Sequence, residues 1–207
     1  MTPLRKLLKA KKGIVGIEAA IVLIAFVVIA AALSYVVINM GFFATQKTKD
    51  TIGSGVDEAT SALQLDGSII ARTGSGATNL SYIIVPVKLS VGKSMVDLGN
   101  NTVVVSVYLP NATLLNIYNG TSTATDWTTL MNDVGDDQAK FAIFNGDGDT
   151  VLESTEKAFL AVHLGSGNEV TEYSTIKIEV KTGRGASLTV VRTAPGGMTA
   201  DEFVDLG

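Results

Sequence analysis

Ile14-Val15-Gly16-Ile17-Glu18-Ala19-Ala20-Ile21-Val22-Leu23-Ile24-Ala25-Phe26-Val27-Val28-Ile29-Ala30-Ala31-Ala32-Leu33-Ser34-Tyr35-Val36-Val37-Ile38-Asn39-Met40-Gly41-Phe42-Phe43-Ala44 is the stretch that decides the fold. Its 31 residues carry one charge, Glu18. A secretory signal has a shorter apolar region that ends in a small-residue cleavage site, and this run is too long and lacks that ending. It reads as a segment that spans a membrane, at least transiently. Arg5, Lys6, Lys9, Lys11 and Lys12 precede it with no acid among them, which holds that side in the cytoplasm and sends everything after Ala44 outside.

The run does not stop at Ala44. Ile52, Val56, Ala59 and Leu63 recur at spacings of three and four, the pattern of one helical face. The pattern predicts one helix over 14–65, with Gly53-Ser54-Gly55 as its weakest point. At 1.5 Å per residue such a helix is roughly 75 Å long, more than twice the hydrocarbon thickness of a bilayer, and a simple anchor does not need that length. A carboxylate in hydrocarbon is expensive, so Glu18 needs a partner or a route to water. A cut after Gly13 would put the new α-amino group of Ile14 one helical turn from Glu18, where the two charges could neutralise each other. The other reading is a carboxyl near the interface that snorkels to water.

Composition removes several function classes. The chain has 207 residues, no Cys and one His, which excludes disulfide frameworks, thiol catalysis, Cys-based metal sites and His-rich metal centres. Mean hydropathy is +0.34, and most of that apolar character sits in the N-terminal run. Of 16 basic residues five precede Gly13, so the remainder sets 11 against 20 acids, a balance of −9. Without a basic face to displace counterions, nucleic acid is not a partner.

After Leu65, Asp66-Gly67-Ser68 and Gly74-Ser75-Gly76 punctuate a change to strand-like sequence. Strands are expected at 81–91, 102–109, 114–118, 140–144, 157–164, 175–181 and 186–193. The alternation is clearest in Thr175-Ile176-Lys177-Ile178-Glu179-Val180-Lys181, with Ile176, Ile178 and Val180 facing inward. A short helix is expected within 126–134, with Trp127 and Leu130 on its inner side, and Gly183-Arg184-Gly185 reads as a hairpin turn. The fold class is therefore α+β: a long N-terminal hydrophobic α-helix followed by an antiparallel, immunoglobulin-like β-sandwich over 66–207.

Lys11-Lys12-Gly13 followed by Ile14-Val15-Gly16-Ile17-Glu18 resembles the class III signal peptide of the type IV pilin superfamily, and looks most like the archaeal flagellins. Downstream, Asp149 to Glu156 with its following strand resembles the acidic Leu-x-x-x-Glu turn of archaeal flagellin outer domains. The hairpin from Thr175 to Val190 with Arg192-Thr193-Ala194-Pro195 is similar to the family's C-terminal hairpin. Between Thr113 and Asp137 no likeness is visible. The resemblance implies that 1–13 is a leader removed by a prepilin-type peptidase after Gly13, with Ile14 as the mature N-terminus. It implies that 14–65 leaves the cytoplasmic membrane to form the core of an extracellular homopolymeric filament, with Ile14, Glu18, Phe26, Tyr35 and Phe42 in the assembly surface. An archaeal adhesive pilin shares this architecture, and a membrane-anchored extracellular binding domain is the more distant alternative.

Two further sets of residues are candidates. Asn145, Asp147 and Asp149, with Glu153 and Glu156, have the alternate oxygen ligands of a calcium loop and a Glu eleven residues past the first. Thr150 stands where such loops carry Gly, and Asn-Gly-Asp-Gly-Asp is equally good β-turn chemistry. Bound Ca²⁺ and a metal-free turn are both compatible with it, and no cofactor is required. Asn79, Asn100, Asn111 and Asn119 head four Asn-x-Ser/Thr sequons on the external side, in or beside loops, and at least two are expected to carry glycans. His163 stands alone in its strand, the context of a packing or surface residue rather than a catalytic base. Catalysis is not expected.

Overall fold

Helix-favouring Ala, Leu and Ile with few breakers from Leu4 onward make one uninterrupted helix, α1, Leu4–Ala59, in the computed structural model. The described residues are 4–59, 62–76, 78–91 and 95–207, with side chains described from Gly16 onward within α1. Gly13 and Ile14 lie in the helical backbone, and their side chains fall outside the described residues. Gly53-Ser54-Gly55 stays helical, yet the chain divides there into two compact units, 1–54 and 55–207. The helix ends six residues before the expected Leu65. Leu63–Leu65 is instead a strand, β1, because Leu63 pairs with Leu89 and is buried in the sandwich core. The three- and four-residue spacing runs on past the real helix end because one buried Leu satisfies either pattern.

The strands that follow are β2 Ile70–Thr73, β3 Leu80–Leu89, β4 Met95–Asp97, β5 Val104–Tyr108, β6 Thr113–Leu114 and β7 Tyr118–Ser122. After a short helix, α2 Trp127–Asp133, come β8 Gln138–Phe144, β9 Val151–Glu153, β10 Lys157–His163, β11 Thr175–Lys181, β12 Leu188–Thr193 and β13 Phe203–Asp205. One sheet has the order β13-β2-β3-β10-β8-β7, with β1 also on β3. A second has the order β12-β11-β5-β6, and β4 pairs with β9. Pairing is antiparallel except between β7 and β8. Ile83, Val85, Val87, Phe141 and Leu160 of the first sheet and Val105, Val107, Ile176, Ile178 and Val180 of the second share one core, which makes the unit a sandwich.

β11 has the residues the alternation predicts, and β10 and β8 match within two residues. The expected strand 114–118 is two strands separated by Asn116, whose φ of 52° breaks the ladder. α2 is capped by Asp126, whose carboxylate accepts from the Thr129 N–H at 2.8 Å. Its Leu130 packs with Val134, Ala142 and Ala161 on the outer face of the larger sheet. Trp127 meets Phe159 and Phe144 at ring distances of 4.4 and 5.5 Å. Trp127 is therefore a packing residue, as its position suggested.

Candidate functional site

The sandwich closes its own core. Ala71, Val85, Val105, Phe141 and Leu160 are all fully buried. α1 behaves oppositely. Gly16–Ala59 is long and apolar enough to cross a membrane, and none of its apolar window is buried. Between Ile17 and Phe43, 17 large apolar side chains are more than half exposed, among them Phe26 at 69%, Tyr35 at 71% and Phe42 at 71%. At 3.6 residues per turn Phe26 lies on the side of the helix opposite Tyr35 and Phe42, so the apolar surface runs all the way round. Such a surface is stable only in lipid or against other apolar helices.

Four hydroxyls of α1 bond back to its own backbone. Ser34 Oγ donates to the Ala30 carbonyl, Thr45 to Gly41, Thr48 to Ala44 and Thr51 to Lys47, each at 2.8 Å. Glu18 stands on this surface, exposed.

The acidic residues near 150 do not converge. Asp147 Oδ1 accepts from the Asp149 N–H at 3.2 Å, and Asp149 Oδ1 accepts from the Val151 N–H at 2.8 Å. Glu156 is buried, and its Oε2 accepts from the Glu153 N–H at 2.9 Å. Asn145 at φ 61° and Gly148 at φ 98° supply the left-handed residues of the turn. Thr150 is tied to Asp97 at 3.3 Å, and its carbonyl accepts from Leu98 at 2.8 Å. Among the described residues no three acidic or His side chains form a metal-holding group. Asp at alternate positions here caps backbone N–H groups two residues on, which holds the turn.

The four sequons differ in exposure. Asn100 and Asn111 are exposed in loops flanking β5. Asn119 is exposed but lies inside β7 rather than in a loop, with its amide on Gln138 Oε1 at 2.9 Å. Asn79 is half-buried, and its amide faces Glu169 Oε2 at 3.4 Å, while Ser81 donates to Glu169 Oε1 at 3.1 Å.

His163 is a packing residue. It stacks on Tyr82 at 4.0 Å, with Nδ1 3.1 Å from the Val134 carbonyl and 3.4 Å from Asp136 Oδ1. Sequence reasoning missed the stacking, because it depends on cross-strand register: His163 lies opposite Tyr82 on β3, and Tyr82 opposite Arg72 on β2. It also missed a charge cluster at the start of the sandwich. Asp66 bridges Lys88 and Lys157, each at 2.8 Å, and hydrogen bonds from Lys157 and then Lys88 hold its carboxyl below the usual range. Tyr118, whose hydroxyl donates to the Leu98 carbonyl, has its phenol pushed up by burial.

An uncovered all-round apolar helix joined to a self-sufficient sandwich defines a class of subunit that is anchored or assembled through its helix. The chain belongs to the archaeal-type flagellin family, whose model matches residues 13–192. A probable flagellin of Aeropyrum pernix is 42% identical over 97% of this chain and 100% of its own length. A probable flagellin of Archaeoglobus fulgidus is 34% identical over 92% and 93%. Among solved structures, the archaeal flagellum of Methanospirillum hungatei superposes with a TM-score of 0.56 at 30% identity, covering 88% of this chain and 94% of that one. An archaeal flagellin crystal structure from Methanocaldococcus jannaschii has a TM-score of 0.58 at 16% identity over 71% and 97%, a likeness of fold.

Proposed function

We propose that this chain is the structural subunit of an archaeal flagellar filament, a homopolymer for swimming motility that assembles through α1. The observation that carries this is the contrast between a sandwich with a complete core and a helix with none of its apolar window covered. Each large apolar side chain taken from water contributes about 1.5–3 kcal/mol when fully buried. With 17 such side chains more than half exposed, full burial is worth about 25–50 kcal/mol, well above the roughly 4–15 kcal/mol that association costs in rigid-body freedom.

In this reading the precursor sits in the cytoplasmic membrane by α1, with its basic N-terminal residues on the cytoplasmic side. A prepilin-type peptidase cuts after Gly13 and frees Ile14, a boundary supported by the family match, which begins at residue 13. The helices then pass from lipid into the filament core, and the sandwiches form an acidic outer coat of formal charge −9 per mature subunit. Neither a catalytic group nor a cofactor enters this function. Glycans on the exposed sequons would face the medium.

N-terminal sequencing of subunits sheared from cells tests the processing step. A start at Ile14 is expected, and a start at Met1 overturns it. Deletion of the coding sequence should abolish swimming, and normal swimming would contradict the motility role.

A further inference from the structure

Inside the apolar stretch Gly16–Ala44 the polar side chains are Glu18, Ser34, Tyr35 and Asn39. Ser34 satisfies itself on the Ala30 carbonyl. Tyr35 and Asn39 are exposed and make no hydrogen bond among the described residues. They lie four residues apart, one above the other on the same helical face. Glu18 stands about 25 Å back along the axis and on a different side.

Their depth matters. A bilayer accepts roughly 20 apolar residues, which from Ile14 reaches Leu33. In the precursor Tyr35 and Asn39 therefore sit at the headgroup level, where an amphipathic ring and an amide stay wet. The apolar surface runs on past them through Val36, Val37, Ile38, Met40, Phe42 and Phe43, all exposed in the single chain. Once those residues are covered in a filament, the phenol and the carboxamide are covered with them. A buried amide without a partner is costly, so each must bond to another chain.

We infer that Tyr35 and Asn39 form the polar pair that sets the axial register between neighbouring copies of this chain, each bonding to a polar atom of an adjacent α1. The inference rests on the filament reading above. Apolar packing is non-directional, and an all-round apolar helix can slide along its neighbour at little cost. Hydrogen bonds cannot slide, and a single polar residue in a helical interface fixes register at some expense of stability. The occupant is a second copy because the uncovered surface is continuous around the pair and one solved structure that this chain resembles is an archaeal flagellum.

The test is image reconstruction and thermal dissociation of filaments sheared from cells expressing the wild type, Asn39→Leu, Tyr35→Phe, the double variant, and Val36→Leu as an apolar control on the same turn. The expected result is that Asn39→Leu and the double variant still form filaments, which dissociate at the wild-type temperature or above, but lose the single helical repeat and show a mixture of repeats. Val36→Leu keeps one repeat. Filaments of Asn39→Leu and the double variant with the wild-type single repeat would overturn the inference. So would loss of assembly in Asn39→Leu alone, because a pair that only sets register leaves the apolar driving force in place. Absence of filaments from both the wild type and Val36→Leu would refute the filament reading itself.

Discussion

Replacing Glu156 by Ala tests whether the acidic turn is held by its own backbone. Glu156 is 6% exposed, and its carboxylate accepts from the Glu153 N–H at 2.9 Å while its own N–H donates back to the Glu153 carbonyl at 3.2 Å. Truncation removes a charge-assisted bond worth about 1.5–3 kcal/mol and leaves the Glu153 N–H without that partner. It also opens space beside Gly146, where a Cβ would stand 3.2 Å from Glu156 Oε1. The expected loss is about 2–3 kcal/mol. For a unit of this size the guanidinium slope is on the order of 4 kcal/mol per M, so the unfolding midpoint should fall by roughly 0.5–0.8 M. Glu156→Gln keeps a carbonyl acceptor and sheds the cost of burying a charge, and should lose about 1 kcal/mol or less. Both measurements are made on residues 55–207 by circular dichroism, in millimolar calcium and again in chelator. The wild-type midpoint should be the same in both. A midpoint that rises in calcium and loses that rise in both variants would refute the turn reading and restore a metal site.

Three other outcomes are expected. Asp66 has its carboxyl held below the usual range by Lys157 and Lys88, so its contribution to stability is complete above about pH 4 and is lost as pH falls through the lower folded value. Asp66→Asn should therefore flatten the acid limb of a stability-versus-pH curve and leave its shape near neutrality unchanged. Phe141, fully buried with its ring 5.7 Å from that of Tyr118, should cost about 3–5 kcal/mol when cut to Ala, read as a shift of denaturant midpoint without a change of slope. Glycopeptide mapping by mass spectrometry of subunits purified from the native host should find glycan on Asn100 and Asn111 and none on Asn79, whose amide is engaged by Glu169; a modified Asn79 would contradict that ordering.

The parts of the fold that were legible in the sequence are those where many residues repeat one message. α1 is legible because dozens of residues agree on it, and β11 because seven residues alternate without exception. The helix end was not legible, since Leu63 fits a helical face as well as its actual place opposite Leu89. β4, β9 and β13, three residues each, are too short to show a period, and they form because a longer neighbour or each other offers free backbone groups. β2 was missed for the same reason, although it pairs along β3. The acidic turn left two readings open because Asp at alternate positions serves cation loops and self-capped turns equally, and here those Asp side chains accept from backbone N–H groups two residues on. The Asp66 cluster joins three separate segments, so no local pattern announces it.

In the filament reading, α1 is covered by the α1 helices of other copies of this chain. A three-dimensional reconstruction of sheared filaments shows what surrounds that helix. The expected map has the helices of residues 16–44 packed together along the filament axis, with no lipid between them and the sandwiches outside. A filament whose axis holds the sandwiches, or a chain recovered only as a detergent-solubilised monomer with α1 in lipid, would contradict it.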